Sequence, residues 1–170
     1  EWLIFRSSGG PAGPPDPAPR FRELRPMLAS SRQQPFDDPG WAFELKWDGV
    51  RVLGFADRGD WRMQSRRFED VTFRYPELAA IAEQLSDHAA VIDGEVVSLD
   101  RKGRPSFQLI QQRMGLASAA AVKSRVNETP VDYMIFDLVH LDGRSTRELP
   151  YPQRRELLHA GAVDVDLAGR

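Results

Sequence analysis

The sequence has 170 residues, of which 41% are hydrophobic and 28% are charged, as in an ordinary globular domain. Its 23 Lys and Arg nearly balance 25 Asp and Glu, which excludes a histone-like tail, an acidic disordered segment and a collagen-like chain. The absence of cysteine excludes a disulfide scaffold, a thiolate zinc site and a cysteine nucleophile, and it favours a reducing, cytoplasmic compartment. No apolar stretch approaches the roughly 18 residues of a membrane span.

The first 20 residues differ in composition from the rest. Residues 9–20 contain five of the thirteen prolines and three glycines, which is typical of a solvated linker. Residues 1–6 have the composition of a strand, and we expect no partner for that strand within this chain. They are interpreted either as the last strand of a preceding domain or as a disordered tail. We therefore expect the folded part to begin at Phe21.

The first half of the folded part is predicted to be mostly β-structure. Aromatic and β-branched residues predict strands, and the polar, glycine-containing segment Asp57–Asp60 predicts a hairpin turn. The predicted strands are 41–46, 50–56 and 61–66.

Helices enter in the second half of the chain. Pro76 suits a first helical position, and apolar residues follow it at helical spacing, so a helix is predicted over 76–86. A strand that is interrupted by Gly94 follows this helix, and a turn follows the strand. The remaining predicted elements are a strand at 91–99, a turn at 100–103, helices at 107–114 and 117–125, a strand at 131–141 and a helix at 151–160. Strands and helices do not alternate strictly, which predicts an α+β fold built on an antiparallel sheet.

The segment ELKWDGVR, residues 44–51, places charged residues within an apolar strand. The charged residues that alternation would put on one face are Glu44, Lys46 and Asp48. A lysine between Leu45 and Trp47 would lose its proton more easily than a solvated one, as a nucleophilic amine must. Gly49 would let the backbone approach a ligand, and Arg51 offers bidentate contacts to phosphate or ribose. The pattern alone leaves the wall of a polar pocket and a solvated edge strand as equal alternatives.

Four motifs resemble those of one enzyme family. Residues 46–51 match the K-x-D-G-x-R signature of the covalent nucleotidyltransferases, which comprise ATP-dependent DNA ligases, RNA ligases and mRNA capping enzymes. Three further segments resemble later motifs in the family order, namely Ser65-Arg66, Asp93-Gly94-Glu95 and Phe136-Asp137. The flanking residues are most similar to bacterial ATP-dependent DNA ligases, above all to the ligase module of the multifunctional end-joining ligase D.

This resemblance implies an antiparallel-sheet, ATP-grasp-like nucleotidyltransferase domain, of which residues 21–170 form an incomplete copy. It also implies that residues 1–8 end a preceding phosphoesterase module. The substrates would be ATP and nicked or broken double-stranded DNA, with end-joining proteins as further partners. The setting would be the bacterial cytoplasm, at the nucleoid.

The resemblance further implies a role for each motif residue. Lys46 would attack the α-phosphate of ATP and hold AMP through a phosphoramide bond. Glu44 would read the adenine amino group, and Phe136 would stack on the adenine ring. The complete set of implied nucleotide-binding residues is Glu44, Leu45, Arg51, Arg66, Glu95 and Phe136. Mg²⁺ or Mn²⁺, which prefer oxygen ligands, would be held by Glu95 and Asp48.

The last 29 residues lack two motifs that the resemblance leads one to expect. Residues 142–170 contain neither a Glu-Gly pair nor a lysine. The family places an E-G and a K-x-K motif after the motifs seen here, and an oligonucleotide-binding domain beyond them. The missing lysines normally neutralise the triphosphate. We therefore expect these 170 residues alone to bind adenine nucleotide weakly, to adenylate slowly and not to seal nicks. The alternatives are a non-catalytic remnant that binds a nucleotide or a partner protein, and a relative of the RNA ligases or capping enzymes.

Overall fold

The structure is a computed structural model that describes residues 2–6, 20–28, 34 and 36–159. Seven strands and four α-helices lie within these residues, together with 3₁₀ turns at Thr72–Arg74 and Pro76–Ala79. The strands are β1 (Trp2–Arg6), β2 (Trp41–Leu45), β3 (Val50–Asp57), β4 (Asp60–Ser65), β5 (Ala89–Val97), β6 (Asp132–Leu141) and β7 (Arg144–Ser145). The helices are α1 (Ala80–Gln84), α2 (Phe107–Met114), α3 (Ala119–Arg125) and α4 (Tyr151–His159).

The main sheet has five strands in the order β4-β3-β5-β6-β7, and every neighbouring pair is antiparallel. This arrangement confirms the predicted α+β class. The predicted hairpin turn is also confirmed: Arg58 (φ 47°) and Gly59 (φ 98°) both have positive φ, as the tight turn between β3 and β4 requires.

The hydrophobic core lies between the main sheet and the helices. Aliphatic side chains of β3, β5 and β6 meet those of the helical segments, and their burial drives the packing of the two layers. The core residues include Val52, Ile92, Val96, Ile135 and Leu138 from the sheet and Leu78, Ile81, Leu85, Ile110 and Leu158 from the helical segments.

Gly94 permits a close approach of two strands, as its position within a predicted strand suggested. A Cβ atom there would lie 2.6 Å from the Tyr133 ring and 2.7 Å from the Met134 carbonyl oxygen. The buried Tyr133 hydroxyl, in turn, donates to the Val52 carbonyl (2.7 Å). A side chain at position 94 would therefore disrupt the packing at the centre of the sheet.

Two expectations about the strands near the lysine motif are wrong. Trp2–Arg6 has a partner in the chain, since it pairs antiparallel with β2, with Leu3 opposite Glu44. The strand β2 ends at Leu45, one residue before Lys46. The chain leaves β2 there because it must cross from the two-stranded sheet to the main sheet. It enters the main sheet at Val50, and at the preceding Gly49 a Cβ atom would lie 2.2 Å from the Val96 carbonyl oxygen.

The other boundaries differ from the predictions by small amounts. The predicted helix at 76–86 consists of a 3₁₀ turn followed by the short α1. Helix α3 begins two residues later than predicted because Ser118 caps it, accepting a hydrogen bond from the Ala121 amide (3.3 Å). Position 160, the predicted end of the last helix, and most of the predicted linker at 9–20 lie outside the described residues.

Candidate active site

Residues from six places in the sequence surround one cavity of about 330 Å³. Lys46 and Trp47 come from the connection between β2 and β3, Arg51 from β3, and Arg66 from the residue after β4. The lining continues with Glu95 from β5, Phe136 from β6 and the segment Pro26–Leu28. These strands are neighbours in the main sheet, so residues far apart in sequence come together at one cavity.

Not every residue of the predicted site lines this cavity. Lys46, Arg51, Arg66, Glu95 and Phe136 do so. Glu44, Leu45 and Asp48 do not line it, and the Glu44 carboxylate instead contacts Arg155 of α4. A larger cavity of about 590 Å³, lined by Phe21, Phe55 and Trp61 among others, contains none of the motif residues.

Lys46 is exposed, which overturns the expectation of a desolvated lysine within an apolar strand. Lys46 and Trp47 also line the same cavity, so the predicted strand alternation does not extend to them. The reason is that both lie in the connection between the two sheets, where side chains need not alternate. The ammonium group is therefore placed at a cavity that solvent and a ligand can reach.

Arg51 is held rigidly by a residue that the sequence-based assignment missed. Its Nε and Nη2 donate to Asp93 Oδ1 (2.5 Å) and Oδ2 (2.7 Å), and the Asp93 side chain is only 6% exposed. Burial alone would lower the pKa of Arg51, but the hydrogen bonds and charge of Asp93 outweigh burial and raise that pKa. The signal for Asp93 was its position as the first residue of the Asp-Gly-Glu motif.

The same guanidinium group covers the Phe136 ring, with Arg51 Cζ 4.4 Å from the ring centroid. This cation–π contact fixes both side chains. Because Arg51 occupies one face of the ring, an adenine stacked on Phe136 would have to use the opposite face.

Glu95 lies half-buried on the cavity wall, next to Gly94. Burial raises its pKa to about 7, and the charge of Asp93 adds to that effect, although the positive charges of Arg51 and Lys46 oppose it. A bound cation would relieve this penalty, which makes Glu95 a suitable ligand for a divalent ion. Mg²⁺ commonly takes one or two carboxylates together with the phosphates of a nucleotide. Within the described part of the chain, no group of three or more His, Asp or Glu side chains has metal-binding geometry.

The raised pKa of Glu95 predicts a pH dependence of stability. A carboxyl whose folded-state pKa lies above its unfolded value of 4.5 favours folding while it is protonated. Its contribution is complete below pH 4.5 and is lost as the pH rises toward 7 and beyond. At about 1.4 kcal/mol per unit, the loss reaches up to roughly 3 kcal/mol.

Urea unfolding of the wild type and the Glu95→Gln variant from pH 4.5 to 8 measures this effect. The variant should lose less stability than the wild type over that range and should be the more stable of the two at pH 8. Parallel stability curves for the two proteins would show that Glu95 titrates normally.

Helix α4 contributes a second set of contacts that the motifs did not reveal. Arg155 Nε lies 3.5 Å from Glu44 Oε1, and Arg155 Nη1 donates to the Phe136 carbonyl (3.2 Å). The neighbouring Arg154 donates from Nε and Nη2 to Asp137 Oδ1 (2.7 Å) and Oδ2 (3.0 Å). Arg155 thus links the Glu44 carboxylate to the backbone of Phe136, whose side chain lines the cavity.

The antiparallel sheet and the lysine, arginine, carboxylate and aromatic side chains around one cavity define a nucleotidyltransferase domain by fold and chemistry. A family model described as "ATP dependent DNA ligase domain" matches residues 26–165. The chain belongs to this family of ATP-dependent DNA ligase domains.

Individual relatives agree with this assignment. The chain is 44% identical over 148 residues to the multifunctional non-homologous end joining DNA repair protein LigD of Mycobacterium tuberculosis, a match covering 86% of this chain and 18% of that protein. It is 37% identical over 146 residues to DNA ligase C1 of Mycolicibacterium smegmatis, covering 83% of this chain and 41% of that one.

Solved structures give the same result. The ligase domain of M. tuberculosis LigD matches with a TM-score of 0.57 and 43% identity, covering 68% of this chain and 34% of that chain. A mycobacterial DNA ligase D complexed with ATP and MES gives the same values. The chain thus spans about a third of these ligase-domain structures and less than a fifth of the mycobacterial LigD proteins.

Proposed function

We propose that this chain supplies the adenylate-forming part of an ATP-dependent DNA ligase. The observation that carries the proposal is the convergence of Lys46, Arg51, Arg66, Glu95 and Phe136 on one cavity in a chain of that family. An accessible lysine beside two arginines and an aromatic ring suits a nucleotide whose α-phosphate is the target of attack. One of the matched ligase structures is a complex with ATP, which supports the same substrate for this chain.

The proposed step is a nucleophilic substitution at phosphorus. The Lys46 amine, once deprotonated, would form a bond from Nζ to the α-phosphorus of ATP while the bond to the departing pyrophosphate breaks. Arg51 and Arg66 would hold ribose and phosphate oxygens, and Phe136 would stack on adenine. Glu95 is the cavity residue suited to hold Mg²⁺ or Mn²⁺, which would neutralise charge on the leaving pyrophosphate. A metal-binding role for Asp48 stays a prediction.

The later steps would transfer AMP to a DNA 5′-phosphate and seal the strand. The names of the relatives, a non-homologous end joining DNA repair protein and a DNA ligase, support nicked or broken duplex DNA as substrate and end joining as the setting. A location in the bacterial cytoplasm, at the nucleoid, stays a prediction. We retain the proposal that residues 1–8 end a phosphoesterase module, that 9–20 are a linker and that 21–170 form part of the adenylation domain. Among the described residues, no helix is long and apolar enough to cross a membrane.

Incubation of the chain with α-labelled ATP and Mg²⁺, followed by mass spectrometry of the labelled peptide, tests this function. We expect slow formation of a lysine–AMP adduct and no sealing of a nicked duplex. If neither nucleotide binding nor any adduct were detected, the proposed function would be wrong. Efficient sealing by the chain alone would instead overturn the expectation drawn from the missing lysines.

The proposed role of Glu44 predicts that the chain forms its nucleotide adduct faster from ATP than from GTP. Arg155 contacts both the Glu44 carboxylate and the Phe136 carbonyl, so Glu44 lies near the cavity wall although it does not line the cavity. There its carboxylate would accept from the amino group of adenine, whereas guanine presents a carbonyl oxygen at that position and would place two acceptors face to face. Such a mismatch costs about 1–3 kcal/mol, or roughly 5- to 150-fold in adduct formation. Parallel labelling with ATP and GTP measures the ratio. The Glu44→Gln variant, whose amide can donate to guanine, should lower the ratio of ATP labelling to GTP labelling. Equal labelling of the wild type by both nucleotides would contradict the role of Glu44.

A further inference from the structure

Two residues of α4 converge on Glu44, and the nucleotidyltransferase motifs contain neither of them. Tyr151 and Arg155 lie four positions apart, so they share one face of the helix. Arg155 approaches Glu44 Oε1 at 3.5 Å, and both side chains are largely shielded from solvent. Burial and then the contact with the Glu44 carboxylate raise the pKa of the buried Tyr151 hydroxyl.

Glu44 depends on these contacts for its position relative to the cavity. Its strand, β2, belongs to the two-stranded sheet, whereas Phe136 lies on β6 of the main sheet. No ladder of hydrogen bonds joins these two sheets among the described residues. Arg155 joins them directly, because it contacts the Glu44 carboxylate and donates to the carbonyl oxygens of Ile135 (3.4 Å) and Phe136 (3.2 Å).

The helix itself is fixed on β6. Arg154 makes two hydrogen bonds to Asp137 and a third to the Leu149 carbonyl (2.7 Å). A bidentate Arg–carboxylate pair defines the orientation of both groups. The link from β6 through α4 to Glu44 is therefore rigid enough to set the direction of one carboxylate.

The second oxygen of Glu44 has the properties of an acceptor site. Oε2 is buried, and within the described part of the chain it has no hydrogen-bond partner. A buried carboxylate oxygen without a donor is costly, and an incoming N–H group would remove that cost. Arg155 contacts Oε1, which leaves Oε2 as the oxygen to accept from a ligand.

We propose that Arg155 and Tyr151 are positioning residues for base selection: they orient Glu44 so that Oε2 accepts from the 6-amino group of adenine. This proposal rests on the proposed function and adds the residues that position its base-reading carboxylate.

The test compares two ligands that differ only in the 6-amino group, AMP and purine riboside 5′-monophosphate. Calorimetric titration of the 170-residue chain should show that the wild type binds AMP more tightly by roughly 5- to 100-fold. Arg155→Met should reduce this ratio to below about 2-fold, mainly by weakening AMP binding. Arg155→Lys should recover part of the ratio because it restores a positive charge near Glu44. Arg144→Met, at an exposed arginine on β7, is the matched control and should keep the full ratio.

A general loss of structure would weaken both ligands equally, so the ratio separates positioning from folding. Tyr151→Phe removes a single hydroxyl and should leave the thermal unfolding of the chain nearly unchanged. It should lower the ratio of the two affinities by less than Arg155→Met does. If folded Arg155→Met kept the wild-type ratio, or lost both ligands equally, the proposal would be overturned while the proposed function stood. If the wild type bound neither nucleotide, the proposed function would fail and this proposal with it.

Discussion

Lys46→Arg is expected to abolish formation of the covalent AMP adduct. Arginine keeps the positive charge, but its guanidinium stays protonated and provides no nucleophilic amine. Removing the nucleophile of an enzyme that works through a covalent intermediate can cost on the order of 10⁶-fold in rate, so the adduct should fall below detection. Labelling with α-labelled ATP over several hours measures the loss.

The chain provides its own controls, because it contains only two other lysines, Lys102 and Lys123. Both are exposed, and neither lines the cavity beside Glu95 and Phe136. Lys102→Arg and Lys123→Arg should label at the wild-type rate. Peptide mapping that located AMP on either of these lysines would show that the assignment of Lys46 is wrong.

Arg113→Met is expected to lower the free energy of unfolding by about 3–5 kcal/mol. The Arg113 side chain is fully buried on α2 and pairs with Glu77, with Nη1 2.7 Å from Oε1. It also donates to the backbone carbonyl oxygens of Thr129 (2.8 Å) and Arg74 (2.5 Å). Methionine fills a similar volume but leaves a carboxylate and two carbonyl oxygens without these donors. Urea denaturation at pH 7 measures the loss.

A double variant separates the charge from the packing. Replacing Glu77 as well, in Arg113→Met/Glu77→Leu, removes the uncompensated carboxylate and should recover part of the lost stability. A single variant Arg113→Met within about 1 kcal/mol of the wild type would mean that the buried pair contributes little. A loss that the second substitution does not reduce would assign the effect to the two carbonyl oxygens.

Lys46 and Arg113 serve different purposes, since the first concerns the reaction and the second concerns stability. Lys46 lies at an exposed connection between two sheets, and its replacement should leave the free energy of unfolding nearly unchanged. Arg113 joins the 3₁₀ segments at 72–79 to α2 and to the residues before β6. Its loss should reduce adduct formation only as far as it reduces the folded fraction.

The sequence by itself determined the class of the fold and most of its elements. Alternating and β-branched residues located β3, β4, β5 and β6, and the polar, glycine-containing segment Asp57–Asp60 located the first hairpin turn. The motifs identified residues that do lie around one cavity, because each motif is a short segment whose order along the chain can be compared directly with the family. Such local patterns require no knowledge of which distant segments meet.

Only the tertiary structure decided how those residues are supported. The bidentate pair of Arg51 with Asp93, the link from Arg155 to Glu44 and the pairing of β1 with β2 all join segments far apart in sequence. The sequence-based expectation of a buried Lys46 was wrong for the same reason, since the strand had to end where the chain passes from one sheet to the other. Periodicity records which side of an element is apolar, whereas contacts between elements depend on how whole layers pack, and no local pattern specifies that packing.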